Sequence, residues 1–217
     1  MEYKTSLSSL AKFELKSLMG RLVFSPRPKL DQEKAYLNLG CGENYIQGMV
    51  NADFYSGFRF WNKKRKLEWY LDLRYPLRCD DAKFDGVFTE HTLEHLYPDQ
   101  ALGLLVELNR IMKTGAVLRL TVPDLEKYVN FYNGALPQEL RVEFSKRFKT
   151  RASAIRNMSQ NFFHLSLWDF EELSMYLSNA GFVDITRKEY RDCSDPMLCH
   201  DLEARRWETV YVEAKKA

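Results

Sequence analysis

The sequence has almost no excess of charge: 32 Lys and Arg stand against 30 Asp and Glu, a formal net charge of +2. A near-neutral chain has no global electrostatic reason to coat nucleic acid or an anionic membrane, so any such partner must be recognised by a local patch. Cysteine is scarce. Cys41, Cys79, Cys193 and Cys199 form neither a C-x-x-C pair nor the dense pattern of a small secreted scaffold, and a reducing, cytoplasmic setting is expected. No apolar run reaches the roughly 18 residues of a bilayer span. Glu2 and Glu14 occupy a stretch where a secretory signal carries a basic start and an apolar core. A soluble chain, or one attached peripherally to a membrane, is therefore expected. Internal repeats and low-complexity tracts are also missing.

What is present suits one α/β domain: 217 residues, 45 % of them hydrophobic, suffice for a sizeable core. Residues 1–30 read as an amphipathic helix and linker. Leu7, Leu10, Ala11, Leu15, Leu18, Met19 and Leu22 recur at helical spacing opposite Lys4, Lys12, Lys16 and Arg21, and Pro26 and Pro28 follow. This stripe is expected to pack on its own domain, with a membrane surface or partner as the alternative. Residues 31–217 read as the main domain. AYLNL, MVNAD, LEWYL, FDGVFT, VLRLTV, FVDITR and ETVYVEA read as seven strands. Helices are expected from Asp99 to Met112, with Leu102, Leu105, Val106 and Met112 inward and Gly115 as the stop, and from Trp168 to Asn179 before Gly181. The alternation implies a mostly parallel, Rossmann-like sheet covered on both faces. A helical insertion is expected from about 125 to 163, and the last two strands are expected to form an antiparallel hairpin.

In such sheets ligands bind beyond the carboxyl ends of the strands. Gly40 and Gly42 follow the first strand directly, and glycine there permits positive φ and close approach of backbone N–H groups to a ligand. A dinucleotide fingerprint is disfavoured, because its third glycine position holds Tyr45 and only a short segment precedes the next strand. Asp53 and Asp72 end the second and third strands, where carboxylates can accept hydrogen bonds from a ribose diol and an exocyclic amine.

Taken in order, NLGCGEN, VNADF, LDLRYPL, FDGVFTEHTLEHL, LNRIMKTGAVLRLTVPD and LSNAGF resemble the motifs of class I S-adenosyl-L-methionine-dependent methyltransferases. More narrowly, they resemble predicted methyltransferases of polysaccharide and cell-surface glycan synthesis. The resemblance implies that Gly40, Cys41 and Gly42 run along the methionine part of the cofactor, with Asn38 at its amino-acid end. It further implies Asp53 on the ribose, Asp72 and Leu73 on the adenine, and Glu90 and His91 lining the pocket. Asn38 stands where an acidic residue is usual, and the helix between the first two strands is reduced to a loop.

His91-Thr-Leu-Glu94-His95 also matches H-x-x-E-H, a zinc peptidase pattern. That pattern needs a long helix, whereas Pro98 is expected to end any helix here within a turn, so no metal ligand is assigned. His91, His95 and His164 are the candidate bases for deprotonating an acceptor. Two basic stretches flank this frame: Trp61, Lys63, Lys64, Arg65, Lys66 and Trp69, and Arg141, Lys146, Arg147, Lys149, Arg151 and Arg156. Cations beside aromatics suit a sugar ring and a phosphate. The expected acceptor is an O or N atom of a small molecule, nucleotide-sugar or glycan precursor, possible phosphorylation included, and nucleic acid is disfavoured. The rival class is a catalytically silent cofactor-binding module that regulates or scaffolds a partner.

Overall fold

The computed structural model describes residues 7–24, 27, 28, 30, 35–54 and 67–217. Seven strands form one sheet in the order β3-β2-β1-β4-β5-β7-β6. They are β1 (Tyr36–Leu39), β2 (Val50–Asp53), β3 (Trp69–Tyr70), β4 (Phe84–Glu90), β5 (Met112–Pro123), β6 (Phe182–Lys188) and β7 (Thr209–Lys216). The pairings from β3 through β5 are parallel. β7 then inserts antiparallel between β5 and β6, so the expected mostly parallel sheet with an antiparallel end is what the chain forms.

The central strands are apolar because both faces are covered. Leu37, Leu39, Val87, Leu118 and Leu120 join Leu105 and Leu108 of α2 (Pro98–Ile111) in the main core. Tyr36, Ile46, Met49, Phe88 and Leu198 pack the other face. α2 matches the expected helix to within one residue at each end but differs on its face. Pro98 starts it, since the first helical turn needs no donor from that residue, and the H-x-x-E-H segment before it forms only a short 3₁₀ turn, Leu93–His95, with no long helix, as expected. Ala101, Leu104, Leu105, Leu108 and Ile111 point inward, while Val106 is exposed. Met112 is already extended and opens β5, and Gly115, at φ 79°, lies in an irregular stretch of that strand where 113–116 are left unpaired.

Residues 125–163 carry three helices, α3 (Leu125–Asn133), α4 (Gln138–Arg147) and α5 (Arg151–Gln160). They enclose their own cluster of Tyr128, Phe131, Leu136, Phe144, Ala154 and Met158. α6 (Phe170–Asn179) is capped by Asp169, whose side chain accepts from the Glu172 N–H.

The N-terminal helix α1 (Leu7–Met19), continued by a π-helical turn over Gly20–Phe24, does not pack as its pattern suggests. Leu7, Leu10, Leu15, Leu18 and Leu22 are exposed, and the buried positions are Ser17 and Gly20. Its attachment is polar and aromatic: Ser17 Oγ donates to Asp72 Oδ2 at 2.6 Å, Glu14 pairs with Arg74 at 2.8 Å, and Phe13 stacks on Phe54. Two further expectations are corrected. Trp69 is a core residue of β3, 1 % exposed, and not part of a basic patch. Cys193 and Cys199 are joined by a disulfide, although nothing in the cysteine pattern marked them as a pair.

Candidate cofactor and acceptor site

A cavity of about 600 Å³ opens at the carboxyl ends of β1, β2, β3 and β4. Parallel strands all leave the sheet at this edge, which is why residues far apart in sequence meet here. Asn38, Gly40, Cys41, Gly42, Asp53, Asp72, Leu73, Glu90, His91 and His95 all line it. Of the proposed site residues only His164 is elsewhere, in a second cavity of about 500 Å³ next door.

The loop after β1 is held by backbone. Gly40 and Cys41 N–H both donate to the Ala52 carbonyl, at 2.8 and 3.2 Å, and Gly42 N–H donates to Asp53 Oδ2 at 2.7 Å. No helix separates β1 from β2, as the short spacing implied. Gly40 has φ 65°, and a Cβ on it would lie 2.2 Å from Thr92 Oγ1. Glycine is thus required twice over, by left-handed backbone and by Thr92 closing from the turn after β4. Gly42 has φ 54° but open space around it. Asn38 is buried and uses its amide N–H₂ to bind the Asn44 carbonyl and Asn51 Oδ1, at 2.8 and 2.9 Å. Here the residue that replaces the usual acid stitches the loop to β2.

Asp53 Oδ1 accepts from the Phe54 N–H and its other oxygen from Gly42, so the carboxylate is aimed along the loop. Asp72 is engaged differently. Its oxygens accept from Arg74 and from Ser17. Burial alone raises its pKa, but the hydrogen bonds from Arg74 and Ser17 outweigh that and hold the carboxyl below the usual range. It lines the cavity as half of an ion pair with Arg74.

At the far wall, Glu90 accepts from the Leu202 N–H at 3.0 Å, and burial raises its pKa. His91 has φ 50°, a strained value for a non-glycine residue. It is tied through Nε2 to Thr209 Oγ1 at 2.8 Å, and burial holds its pKa well below 6.5. The 3₁₀ turn Leu93–His95 follows. Glu94 main-chain oxygen accepts from Leu165 and Ser166 N–H, which ties the turn to the segment after α5. Its side chain is buried, and desolvation pushes the carboxyl up to about 8. His95 is exposed and lines both cavities; burial of its ring on the inner side lowers its pKa, against a hydrogen bond to the Phe163 backbone.

The second cavity is lined by His91, Glu94, His95, Tyr128, His164, Arg205 and Glu208, among others. Arg205 faces both cavities, on the 189–208 loop. That loop is pinned by Arg119, fully buried, which donates to Asp201 at 2.5 and 2.8 Å and to Glu213 at 3.1 Å. Thr92 lies within the H-x-x-E-H string but was not singled out, and Leu202, Arg205 and Glu208 of the 189–208 loop were not marked by any motif. Their loop has no periodicity, and only the antiparallel insertion of β7 brings it over the site.

The second basic stretch does not reach either cavity as expected, and the first is not tested. Residues 61–66 lie outside the described residues. None of Arg141, Lys146, Arg147, Lys149, Arg151 and Arg156 lines a cavity. Lys146 and Arg147 pair with Glu143, and Arg147 also covers Trp207.

This architecture is that of S-adenosylmethionine-dependent methyltransferases. A solved structure of such an enzyme from Archaeoglobus fulgidus is similar with a TM-score of 0.55 at 16% identity, over 84% of this chain and 86% of that one. One from Thermotoga maritima matches with a TM-score of 0.52 at 16% identity, over 94% and 89%. The methyltransferase SibL, in its apo form, matches with 0.52 at 16% identity, over 84% of this chain but only 50% of its own. No family model matches the sequence, and no curated protein matches it. Identity at this level shows a shared fold.

Proposed function

We propose that the chain binds S-adenosylmethionine in the first cavity and transfers its methyl group to an oxygen or nitrogen of an acceptor in the second. The observation that carries this is the confluence of the two cavities at His91, His95 and Arg205, directly beyond the glycine loop. A cofactor lying along Gly40 to Gly42 with its ribose at Asp53 has a neighbouring chamber for the acceptor. Methyl transfer from a sulfonium is an in-line displacement, so the protein supplies orientation and, for a hydroxyl, a base. The S–CH₃ bond breaks as the O–CH₃ or N–CH₃ bond forms, and the acceptor proton leaves to the base. His95 is the accessible imidazole in both cavities, and a lowered pKa keeps it neutral and able to accept a proton near pH 7.

The acceptor we favour is a sugar, nucleotide-sugar or glycan precursor. Arg205 offers a guanidinium to an oxyanion, and exposed Phe162 and Phe163 offer apolar faces at the second cavity. The second reading is a silent cofactor-binding module, and one feature bears on cofactor affinity in both readings. Asp72 is occupied by Ser17 and Arg74 where an adenine amine is expected.

Isothermal titration with S-adenosylhomocysteine, followed by transfer of labelled methyl from S-adenosylmethionine to carbohydrate extracts, tests both. Binding with labelled product supports the enzyme, binding without product in any extract supports the silent module, and no binding at millimolar ligand defeats both.

A further inference from the structure

The turn after β4 holds a group that the cofactor cavity does not explain. The Glu94 side chain is 2% exposed, and neither of its carboxylate oxygens has a hydrogen-bond partner among the described residues. What faces it instead is imidazole. His91 Nδ1 lies 3.5 Å and His164 Nε2 4.0 Å from Glu94 Oε1.

The surrounding network assigns the ring protons. The Thr209 hydroxyl donates to the Arg205 carbonyl at 2.7 Å, so toward His91 it acts as acceptor, and the His91 proton sits on Nε2. The Met158 carbonyl can only accept, so the His164 proton sits on Nδ1, 2.7 Å away. Both rings therefore turn bare lone pairs toward a carboxylate that itself lacks a donor. A single proton on the Glu94 carboxyl can be shared with only one of these lone pairs at a time, whereas a cation in their midst attracts all three groups. His95 completes the set. One ligand atom each from Glu94, His95 and His164 lies within 4.8 Å of the others. Tetrahedral ligation with bonds of about 2.1 Å separates ligand atoms by roughly 3.4 Å, a closure within reach of side-chain adjustment.

We propose that Glu94, His95 and His164 bind a divalent transition-metal ion of the zinc class, with His91 as the adjacent nitrogen. Two imidazoles and one carboxylate are a donor set of that class. The His164 Nδ1–H bond to a backbone carbonyl is the outer contact that orients a ligating imidazole. The backbone is bent to present this ring, because Phe162 and Phe163, with φ 60° and 61°, are consecutive left-handed residues immediately before it. The site differs from a peptidase helix: Glu94 and His95 come from a single 3₁₀ turn and His164 from a segment 69 residues further on. Three protein ligands leave a position open to the second cavity, for water or for an oxygen of its occupant.

The proposal does not require S-adenosylmethionine, but it uses the same His95 lone pair that the methyl-transfer reading assigns to a base, so an ion-loaded His95 cannot also take the acceptor proton and the two uses are alternatives at this residue. Chelator-dialysed protein is titrated with zinc chloride by calorimetry and with cobalt chloride by absorption. The expected result is one ion per chain, bound at least tenfold more weakly after Glu94→Gln or His164→Gln and equally well after His200→Gln. The cobalt spectrum is expected to show nitrogen and oxygen ligation without a sulfur charge-transfer band. Glu94→Gln replaces an unpaired buried carboxylate by a neutral group of the same size, so its metal-free melting temperature should not fall. If that variant does not fold, His164→Gln and the wild-type cobalt spectrum decide. Failure to bind one ion, binding that survives the substitutions, or a sulfur band from Cys41 or Cys79 overturns the proposal. Ion binding without S-adenosylhomocysteine binding would leave the metal site and remove the methyl-transfer reading, and the converse would remove the metal site alone.

Discussion

The two adjoining cavities are built by opposite means. The first is made of backbone: glycine amides, strand ends and carboxylates whose oxygens already have partners, as Asp53 and Asp72 do. The second is made of side chains drawn from remote segments, with an unpaired buried carboxylate at Glu94 and left-handed residues at His91, Phe162 and Phe163. Strain and unsatisfied polarity persist only where the surroundings over-determine them, and they mark places that act on a ligand. Under the proposed function, the first cavity is the place of an invariant cofactor and the second that of one acceptor.

The comparison can be broken most forcefully from behind the second cavity. Arg119→Ala leaves Asp201 and Glu213 as buried charges without their partner, and a loss of about 3–5 kcal/mol is expected in urea unfolding. Hydrogen exchange should quicken in 189–205 and stay slow in 36–54. Uniform loosening would show that the cavities are not separately supported.

Gly40→Ala attacks the first cavity. Strain at φ 65° and the contact with Thr92 should cost about 1–3 kcal/mol and abolish the melting shift produced by S-adenosylhomocysteine. Gly48→Ala, with positive φ but nothing within 4 Å, should destabilise by strain alone and keep that shift. If both variants still respond to ligand, the glycine loop is not the cofactor contact.

Asp72→Asn probes the ion pair at the adenine end. Because the folded pKa lies below the usual value, the carboxylate stabilises the fold above about pH 4 and the contribution is lost as pH falls through the folded pKa. A deficit on the order of 1 kcal/mol at pH 7, with Arg74 partly screened by solvent, should therefore vanish in strong acid. A pH-independent deficit would mean that packing, not charge, holds α1 here.

Ser17→Ala should have the smallest effect. It releases one oxygen of Asp72 and should tighten S-adenosylhomocysteine by about threefold, close to 0.7 kcal/mol. Unchanged affinity would remove Asp72 from the list of adenine contacts.

Much of the fold was legible because it repeats a local rule. Short apolar runs alternating with helical segments identify all seven strands, and the positions of Gly40, Asp53 and Asp72 after three of them place these residues at one edge. What failed did so for identifiable reasons. The stripe on α1 obeys helical periodicity, yet the helix is held by Ser17 and Glu14 with its leucines exposed. Basic residues of α4 and α5 are abundant in sequence but are used away from the cavities: Lys146 and Arg147 pair with Glu143, Arg147 also covers Trp207, and Arg151 donates to the Tyr132 carbonyl.

The sequence by itself determined the strand pattern and the glycine loop, because alternation, turn residues and carboxylates at strand ends are set within a few residues of one another. Only the tertiary structure decided that His164 meets Glu94 across 70 residues, that Arg119 holds the loop carrying Arg205, and that Asp72 is shared with α1. Those contacts join segments with no common period. Their partners are selected by burial and by the need to satisfy, or to leave open, each buried polar group.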